Sequence, residues 1–234
     1  MRGRVSPRCA GCFLGLFFLV SACSHLPPMK LLDPGRDRLL MDACENPYVK
    51  TPHRFLHVIE AHLPGGGSAT LIGVTVVEPA GRILHGVLMT LEGLVLFEGR
   101  EEDGTLRVFR AVPPFDRETF AREMMSDMRL LFLPSRYPSV EAGVLRDGGA
   151  RCRRRGDDGE FVDLLIRTDG TWRMGTSRPP FTRLREVSAA GVAGGFPQEI
   201  TLKRYQDGRY TLRLKLISVE QYNSGSKETD AATP

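Results

Sequence analysis

The sequence predicts a mainly β domain, an antiparallel curved sheet in the form of an open half-barrel with one helical plug. Short apolar runs alternate with Gly, Pro and Asp turn clusters along most of the chain, which is the pattern of a β meander. One segment before Pro134 instead has the 3.6-residue period of a helix. Several middle runs are apolar at successive positions, which predicts cover on both faces of the sheet.

The first 22 residues have the features of a lipoprotein signal peptide. Three arginines precede an apolar run at residues 9–20, which is too short to span a bilayer core of about 30 Å. The run ends in Val20-Ser-Ala-Cys23, so cleavage before Cys23 would leave a lipid anchor with N-acyl and S-diacylglycerol groups. The alternative is an ordinary secretory signal whose apolar region happens to end at a cysteine. Ser24, by its likeness to known lipoproteins, favours the periplasmic face of the bacterial outer membrane.

After the anchor we predict a tether at residues 23–52, a β domain at 53–221 and a disordered tail at 222–234. Three of the 32 Lys and Arg residues leave with the signal, so the mature charge is nearly balanced and nucleic acid is not an expected partner. Cys44 and Cys152 remain in an oxidising compartment, which permits a disulfide. The sequence leaves open whether they pair.

The predicted strands are bounded by turn residues. They span residues 55–63, 68–77, 83–91, 94–97, 105–112, 160–168, 199–205 and 209–219. The last two flank Gln206-Asp-Gly208, and an Asp-Gly pair between two apolar runs is a strong signal for a β-hairpin.

The predicted helix begins near Asp116, which is a candidate N-cap. Its apolar stripe runs along one face at i, i+4, i+8 and i+11. The stripe comprises Phe120, Met124, Met128 and Leu131, and it is widened by Met125 and Phe132. These six residues are candidate lipid-binding residues, because unbranched thioethers repack around irregular apolar partners. The alternative is that they form an ordinary core between helix and sheet.

The sequence does not predict an enzyme, a metal site or a cofactor. His57 and His62 are five positions apart on one predicted strand, so they face opposite sides of the sheet. Cysteine and histidine spacings do not match a metal site, and Gly65-Gly-Gly-Ser68 lacks the form of a nucleophile elbow. The arginines at 146–155 are followed by acidic residues, so we interpret them as a solvated hairpin end rather than a headgroup site.

Four segments resemble the LolA/LolB lipoprotein-localisation family, with the closer likeness to the LolB receptor or to an uncharacterised relative. They are residues 87–93, 127–134, 196–202 and 210–216. This resemblance implies an open barrel that holds acyl chains and needs no catalytic group. It also makes Leu91 the counterpart of the receptor leucine that contacts the membrane, although Thr90 stands where the receptor has proline. The alternative for Leu91 is a half-exposed leucine at a strand end.

We therefore expect a membrane-anchored protein that binds or transfers a lipid or lipoprotein acyl chain, with a periplasmic carrier or an envelope complex as partner. Each buried methylene contributes about 0.8 kcal/mol. The alternative is a non-enzymatic structural subunit of an envelope complex that has the same fold but a filled core. An open apolar cavity between sheet and helix would distinguish the two.

Overall fold

The computed structural model describes residues 29–31, 38–45, 47–63, 65–137, 139–179, 182–206 and 208–222. Within them, thirteen strands form one antiparallel sheet, and two helices lie outside it. The strands are β1 (Met29–Leu31), β2 (His53–His62), β3 (Ser68–Glu78), β4 (Ile83–Met89), β5 (Val95–Glu102), β6 (Thr105–Ala111), β7 (Ser139–Leu145), β8 (Ala150–Arg155), β9 (Phe161–Ile166), β10 (Trp172–Arg178), β11 (Thr182–Ala193), β12 (Phe196–Arg204) and β13 (Tyr210–Gln221). The helices are α1 (Arg38–Glu45) and α2 (Glu118–Phe132). Cys23 lies outside the described residues.

The sheet consists of two meanders joined side by side. Its order is β1-β7-β8-β9-β10-β11-β12-β13-β2-β3-β4-β5-β6, so β13 and β2 join the two runs and β1 and β6 stand at the ends. Arg82, in the turn after β3, donates to Asp157 in the turn after β8 at 2.6 Å. These turns are far apart in the strand order, so the sheet curves strongly. The predicted fold class, a curved antiparallel sheet with a helical plug, is confirmed.

The concave face of the sheet carries the core. On β2, Phe55 and His57 are buried on this face. Helix α2 lies close to β4, because Gly86 leaves room that a side chain would fill: a Cβ there would lie 2.7 Å from Met128 Cε. The apolar residues of the convex face, such as Val74 and Val87, are half-buried and do not join the described core.

Helix α2 begins later than its predicted N-cap. Arg117 occupies the N-cap position in an extended conformation, and no side chain caps the helix there. Asp116 is therefore not the cap, and that prediction was wrong. The helix starts after the turn at residues 113–116, with Glu118 in its first turn, where a negative charge suits the helix dipole.

Four strands were not predicted from the sequence, namely β7, β8, β10 and β11. The segment Arg151-Cys-Arg-Arg-Arg155 of β8 was interpreted as solvated, yet Arg154 is only 1% exposed. Its guanidinium donates to the Cys44 carbonyl at 2.9 Å and to Glu45 at 3.0 Å. Arginines that alternate with buried positions mask a strand pattern when their partners lie elsewhere in the chain.

The segment predicted as a tether contributes to the fold. It supplies β1, which pairs with β7, and α1, which packs near β7 and β8. Cys44 forms a disulfide with Cys152 across 108 residues of chain, and both side chains are fully buried. Val49 N also donates to the Phe132 carbonyl at the end of α2 at 3.1 Å. The predicted boundary at residue 52 is therefore corrected, because folded structure begins before it.

The disulfide should contribute substantially to stability. A closed loop of this length restricts the unfolded chain, so the Cys44→Ala/Cys152→Ala variant should lose about 2–5 kcal/mol of unfolding free energy. Chemical denaturation with and without reductant measures the loss. Reductant should lower the stability of the unchanged protein to a similar degree and leave the double variant unaffected. A double variant that remains sensitive to reductant would contradict the assignment.

Candidate functional site

The interior beneath α2 is divided into an apolar part and a charged part. The apolar part lies around Phe55, Phe132 and Trp172, near the C-terminal end of the helix. The charged part lies beneath the side of the helix that carries Arg122, Ser126 and Arg129. Both parts face the concave side of the sheet, so they are the candidate ligand-binding spaces.

The apolar part is closely packed. The rings of Phe55 and Phe132 are 5.0 Å apart, and those of Phe55 and Phe196 are 5.3 Å apart. The cavity between these side chains is only about 20 Å³. That is room for about one water molecule, so an acyl chain does not fit without movement.

The six candidate lipid-binding residues lie in this packed interior or at its margin. Met125, Leu131 and Phe132 are buried in the core, and Phe120, Met124 and Met128 are partly buried. None of the six lines the charged cavity. The open apolar cavity expected from the sequence is absent from the described residues. One reason is that the supposed tether supplies Tyr48 and Val49 to the core.

The charged part contains the largest cavity found among the described residues, with a volume of about 390 Å³. It is bounded by one side of α2, by the start of β6, and by the turns that follow β5, β8, β10 and β12. Its walls carry charges of both signs. The charged side chains discussed below are Arg122, Arg178 and Arg185 with Glu101, Asp158 and Glu160.

A buried ionic network forms the floor of this cavity. Arg185 on β11 donates to Asp127 on α2 at 2.8 Å and to Glu160 before β9 at 2.6 Å. Burial alone would lower the pKa of Arg185, but the charges and hydrogen bonds of Asp127 and Glu160 outweigh it and raise that pKa. The Tyr210 hydroxyl donates to the second oxygen of Asp127. Burial and the Asp127 charge raise the pKa of Tyr210, so it remains a neutral donor.

Two further ion pairs attach the polar side of α2 to the sheet. Arg129 lies 3.2 Å from Glu101 on β5, and Glu123 lies 2.9 Å from Arg204 on β12. Burial raises the pKa of Glu101, against the opposing charge of Arg129. The helix is therefore held by directional polar contacts on one side and by apolar packing on the other.

Sequence reasoning did not identify this charged cavity. Its one local signal is Asp127, an acidic residue directly before Met128 in the apolar stripe of the helix. A carboxylate on the buried side of a helix requires a partner. Arg185 and Glu160 are distant in the chain, so only the sheet register places them beside it.

Leu91 occupies an exposed turn between β4 and β5, with 60% of its surface accessible. Leu94 in the same turn is equally exposed. Thr90 N donates to the Leu94 carbonyl at 2.9 Å, and Gly93 adopts a φ of +91° that favours glycine. Hydrogen bonds therefore shape the turn in place of a proline. Membrane contact by Leu91 stays a prediction.

The described residues provide neither a metal cluster nor a membrane-spanning helix. No three metal-ligating side chains come together within them. Neither described helix has the length and apolar character needed to cross a bilayer. His57 is buried beside Phe55, whose ring centroid is 6.0 Å away, and His62 is exposed, so the two histidines are on opposite faces as predicted.

The Arg185→Met variant should be strongly destabilised. It would leave Asp127 and Glu160 buried without their cation, at a cost of about 3–5 kcal/mol. Arg183→Ala is the matched control, because Arg183 is exposed on the same strand and should change stability by less than about 1 kcal/mol. Urea denaturation measures both. Equal stability of the two variants would show that the network does not hold α2.

His57 should make the protein sensitive to mild acid. Burial lowers its folded-state pKa to about 4, below the ordinary 6.5 of the unfolded chain. The unfolded state therefore takes up the proton first. Stability from this residue is complete above about pH 6.5 and falls by about 3 kcal/mol as the pH decreases to 4. His57→Phe should lose this part of the acid sensitivity.

Denaturant titrations between pH 7.5 and 4 measure this effect. His62→Phe on the same strand serves as the control, because His62 is exposed and its replacement should leave the acid sensitivity unchanged. Parallel pH profiles for the unchanged protein and His57→Phe would rule out the assigned role.

Comparison with known proteins identifies the fold. No protein-family model matches the sequence, and no curated protein has a significantly similar sequence. A LolA superfamily protein from Nitrosomonas europaea superimposes with a TM-score of 0.54 at 9% identity, over 79% of this chain and 93% of that chain. A DUF1329 family protein from Desulfovibrio piger superimposes with a TM-score of 0.49 at 10% identity, over 81% and 92% of the two chains.

A lipoprotein-sorting domain of the outer membrane from Vibrio parahaemolyticus gives a TM-score of 0.40 at 10% identity, over 81% of this chain and 92% of that chain. The argument for the fold depends on the Nitrosomonas structure, which matches over most of both chains. The closer likeness to the LolB receptor stays a prediction. The curved antiparallel sheet with α2 on its concave face is the LolA/LolB-like fold.

Proposed function

We propose that this chain is a lipid-anchored protein of the bacterial outer membrane that binds or transfers the acyl chain of a lipid or lipoprotein beneath α2. The observation that carries the proposal is the arrangement of α2. A single amphipathic helix covers the concave face of a LolA/LolB-like sheet, with its methionines toward the sheet and ion pairs along its polar side. Such a helix is suited to act as a cover.

The closed interior is compatible with a carrier if α2 moves. An acyl chain would take the place of apolar contacts that Met124, Met125 and Met128 make in the closed form. Ten buried methylenes contribute about 8 kcal/mol, before the costs of binding and of separating the helix from the sheet. Methionine suits such an exchange because its flexible thioether packs against sheet or ligand alike.

Two features support a position at a membrane. The sequence predicts acylation of Cys23, which would hold the domain on the bilayer. The turn that contains Leu91 and Leu94 presents two exposed leucines that could enter the apolar part of the bilayer. A periplasmic carrier or an envelope complex is the proposed protein partner.

One observation favours the second candidate, a structural subunit of an envelope complex with a filled core. The apolar interior has space for about one water molecule, and the segment at residues 38–49 helps to fill it. A protein that never opens would have this interior and would need no ligand. The two candidates therefore differ in whether α2 separates from the sheet.

Photocrosslinking in cells distinguishes the candidates. A diazirine amino acid at Met128 should capture lipid or a lipoprotein acyl chain, because this position would face the ligand in the open form. The same probe at Leu91 should capture phospholipid. Thr168, in an exposed turn after β9, is the control position and should capture neither. Mass spectrometry identifies the products.

Native mass spectrometry of the purified protein gives a second readout. Co-purifying lipid would support the carrier. If Met128 crosslinks only to the chain's own residues and no lipid co-purifies, the acyl-binding proposal fails and the structural subunit is favoured.

A further inference from the structure

We propose that the charged cavity beneath α2 binds a phosphoethanolamine group, with its ammonium at the acidic floor and its phosphate at the arginines of the mouth. The group could be free or could be the headgroup of a lipid. The lipid form rests on the proposed function, whereas binding of the free group does not. The argument uses the charge balance of the floor, one unpartnered carboxylate oxygen, and the position of the mouth arginines.

The floor has fewer positive than negative charges. Arg129 and Arg204 are matched by Glu101 and Glu123. That leaves Arg185 to neutralise three carboxylates: Asp127 at 2.8 Å, Glu160 at 2.6 Å and Asp158 at 3.8 Å. A guanidinium carries one charge, so this group is short of positive charge. A ligand cation in the cavity would correct the imbalance.

Glu160 provides a specific position for that cation. The residue is 3% exposed and lines the cavity, and its Oε1 accepts from Arg185. Its buried Oε2 has no hydrogen-bond partner among the described residues. The last torsion of a glutamate side chain is soft, so a small rotation turns Oε2 toward the cavity. An ammonium N–H would supply the missing hydrogen bond, strengthened by its charge.

The mouth has the opposite character. Arg178 and Arg122 line the cavity and are exposed. Arg122 pairs with Glu118, while Arg178 makes no ion pair in the described part of the chain. Arginine binds phosphate through paired N–H donors. An acidic floor and a basic mouth together fit a ligand with a cation at one end and an anion at the other.

Size and donor count narrow the ligand further. The cavity of about 390 Å³ lies in the range of small-molecule sites, so it holds the headgroup with room for part of a glycerol. A primary ammonium has three N–H donors, but a trimethylammonium has none and cannot satisfy Glu160 Oε2. The site should therefore prefer phosphoethanolamine to phosphocholine.

Isothermal titration of the purified protein with soluble probes tests the site. Phosphoethanolamine should bind at least about tenfold more tightly than phosphocholine or glycerol phosphate, because each of these lacks one of the two interactions. Equal affinity for phosphoethanolamine and phosphocholine, or no detectable binding of phosphoethanolamine, would overturn the proposal.

Variants assign the two ends of the ligand. Arg178→Ala should weaken phosphoethanolamine about tenfold while leaving the affinity for ethanolamine unchanged. Asp158→Asn should weaken both amines, and Glu160→Gln should do so more strongly. Arg178 and Asp158 are exposed, so these two variants remain informative if Glu160→Gln fails to fold. Arg173→Ala and Asp169→Asn, which do not line the cavity, are the matched controls and should bind as the unchanged protein does. A loss as large in the controls would contradict the assignment.

Vesicles separate the two sources of the group. Stronger binding to phosphatidylethanolamine than to phosphatidylcholine vesicles, lost in Arg178→Ala, would support a lipid headgroup. Binding of free phosphoethanolamine with no such lipid preference would support a soluble ligand. If acyl crosslinking from Met128 persists while phosphoethanolamine does not bind, this inference fails and the proposed function stands.

Discussion

The contact between Arg185 and Asp127 determines how the helix lies on the sheet. Apolar packing alone is weakly directional, so a stripe of methionines could settle on β4 in several positions. A buried carboxylate allows far less freedom, because it must keep its cation and its hydrogen bonds. Arg185 comes from β11 and Asp127 from α2. Their pairing therefore ties the connection between the two meanders to a single position.

That position also explains why the interior has two parts. Along α2, the side with Arg122, Ser126 and Arg129 faces the charged cavity, and the C-terminal end with Phe132 packs among aromatic rings. The disulfide between Cys44 and Cys152 brings α1 against the sheet and fills space near that end. The protein thus combines a closed apolar core with an open polar cavity.

Local patterns were predictable and distant pairings were not. The strands with turn clusters and the apolar stripe of α2 follow from periods of two and 3.6 residues, which a short window reveals. Strand β8 was missed because Arg154 finds its partner 109 residues away, at Glu45. The same limit applies to the charged cavity, whose floor combines α2, β11 and the turn before β9. Such a site exists only after the sheet has formed.

A cover that can open needs contacts that can be replaced at similar cost. The apolar contacts of α2 meet that condition when hydrocarbon enters, because about 8 kcal/mol from ten methylenes exceeds the roughly 3–5 kcal/mol at stake in a buried ion network. The ionic contacts meet it at the edge of the cavity, where water already reaches Asp158 and can solvate the separated charges. The balance of these two exchanges, rather than the volume of the closed cavity, determines whether the fold acts as a carrier or as a fixed support.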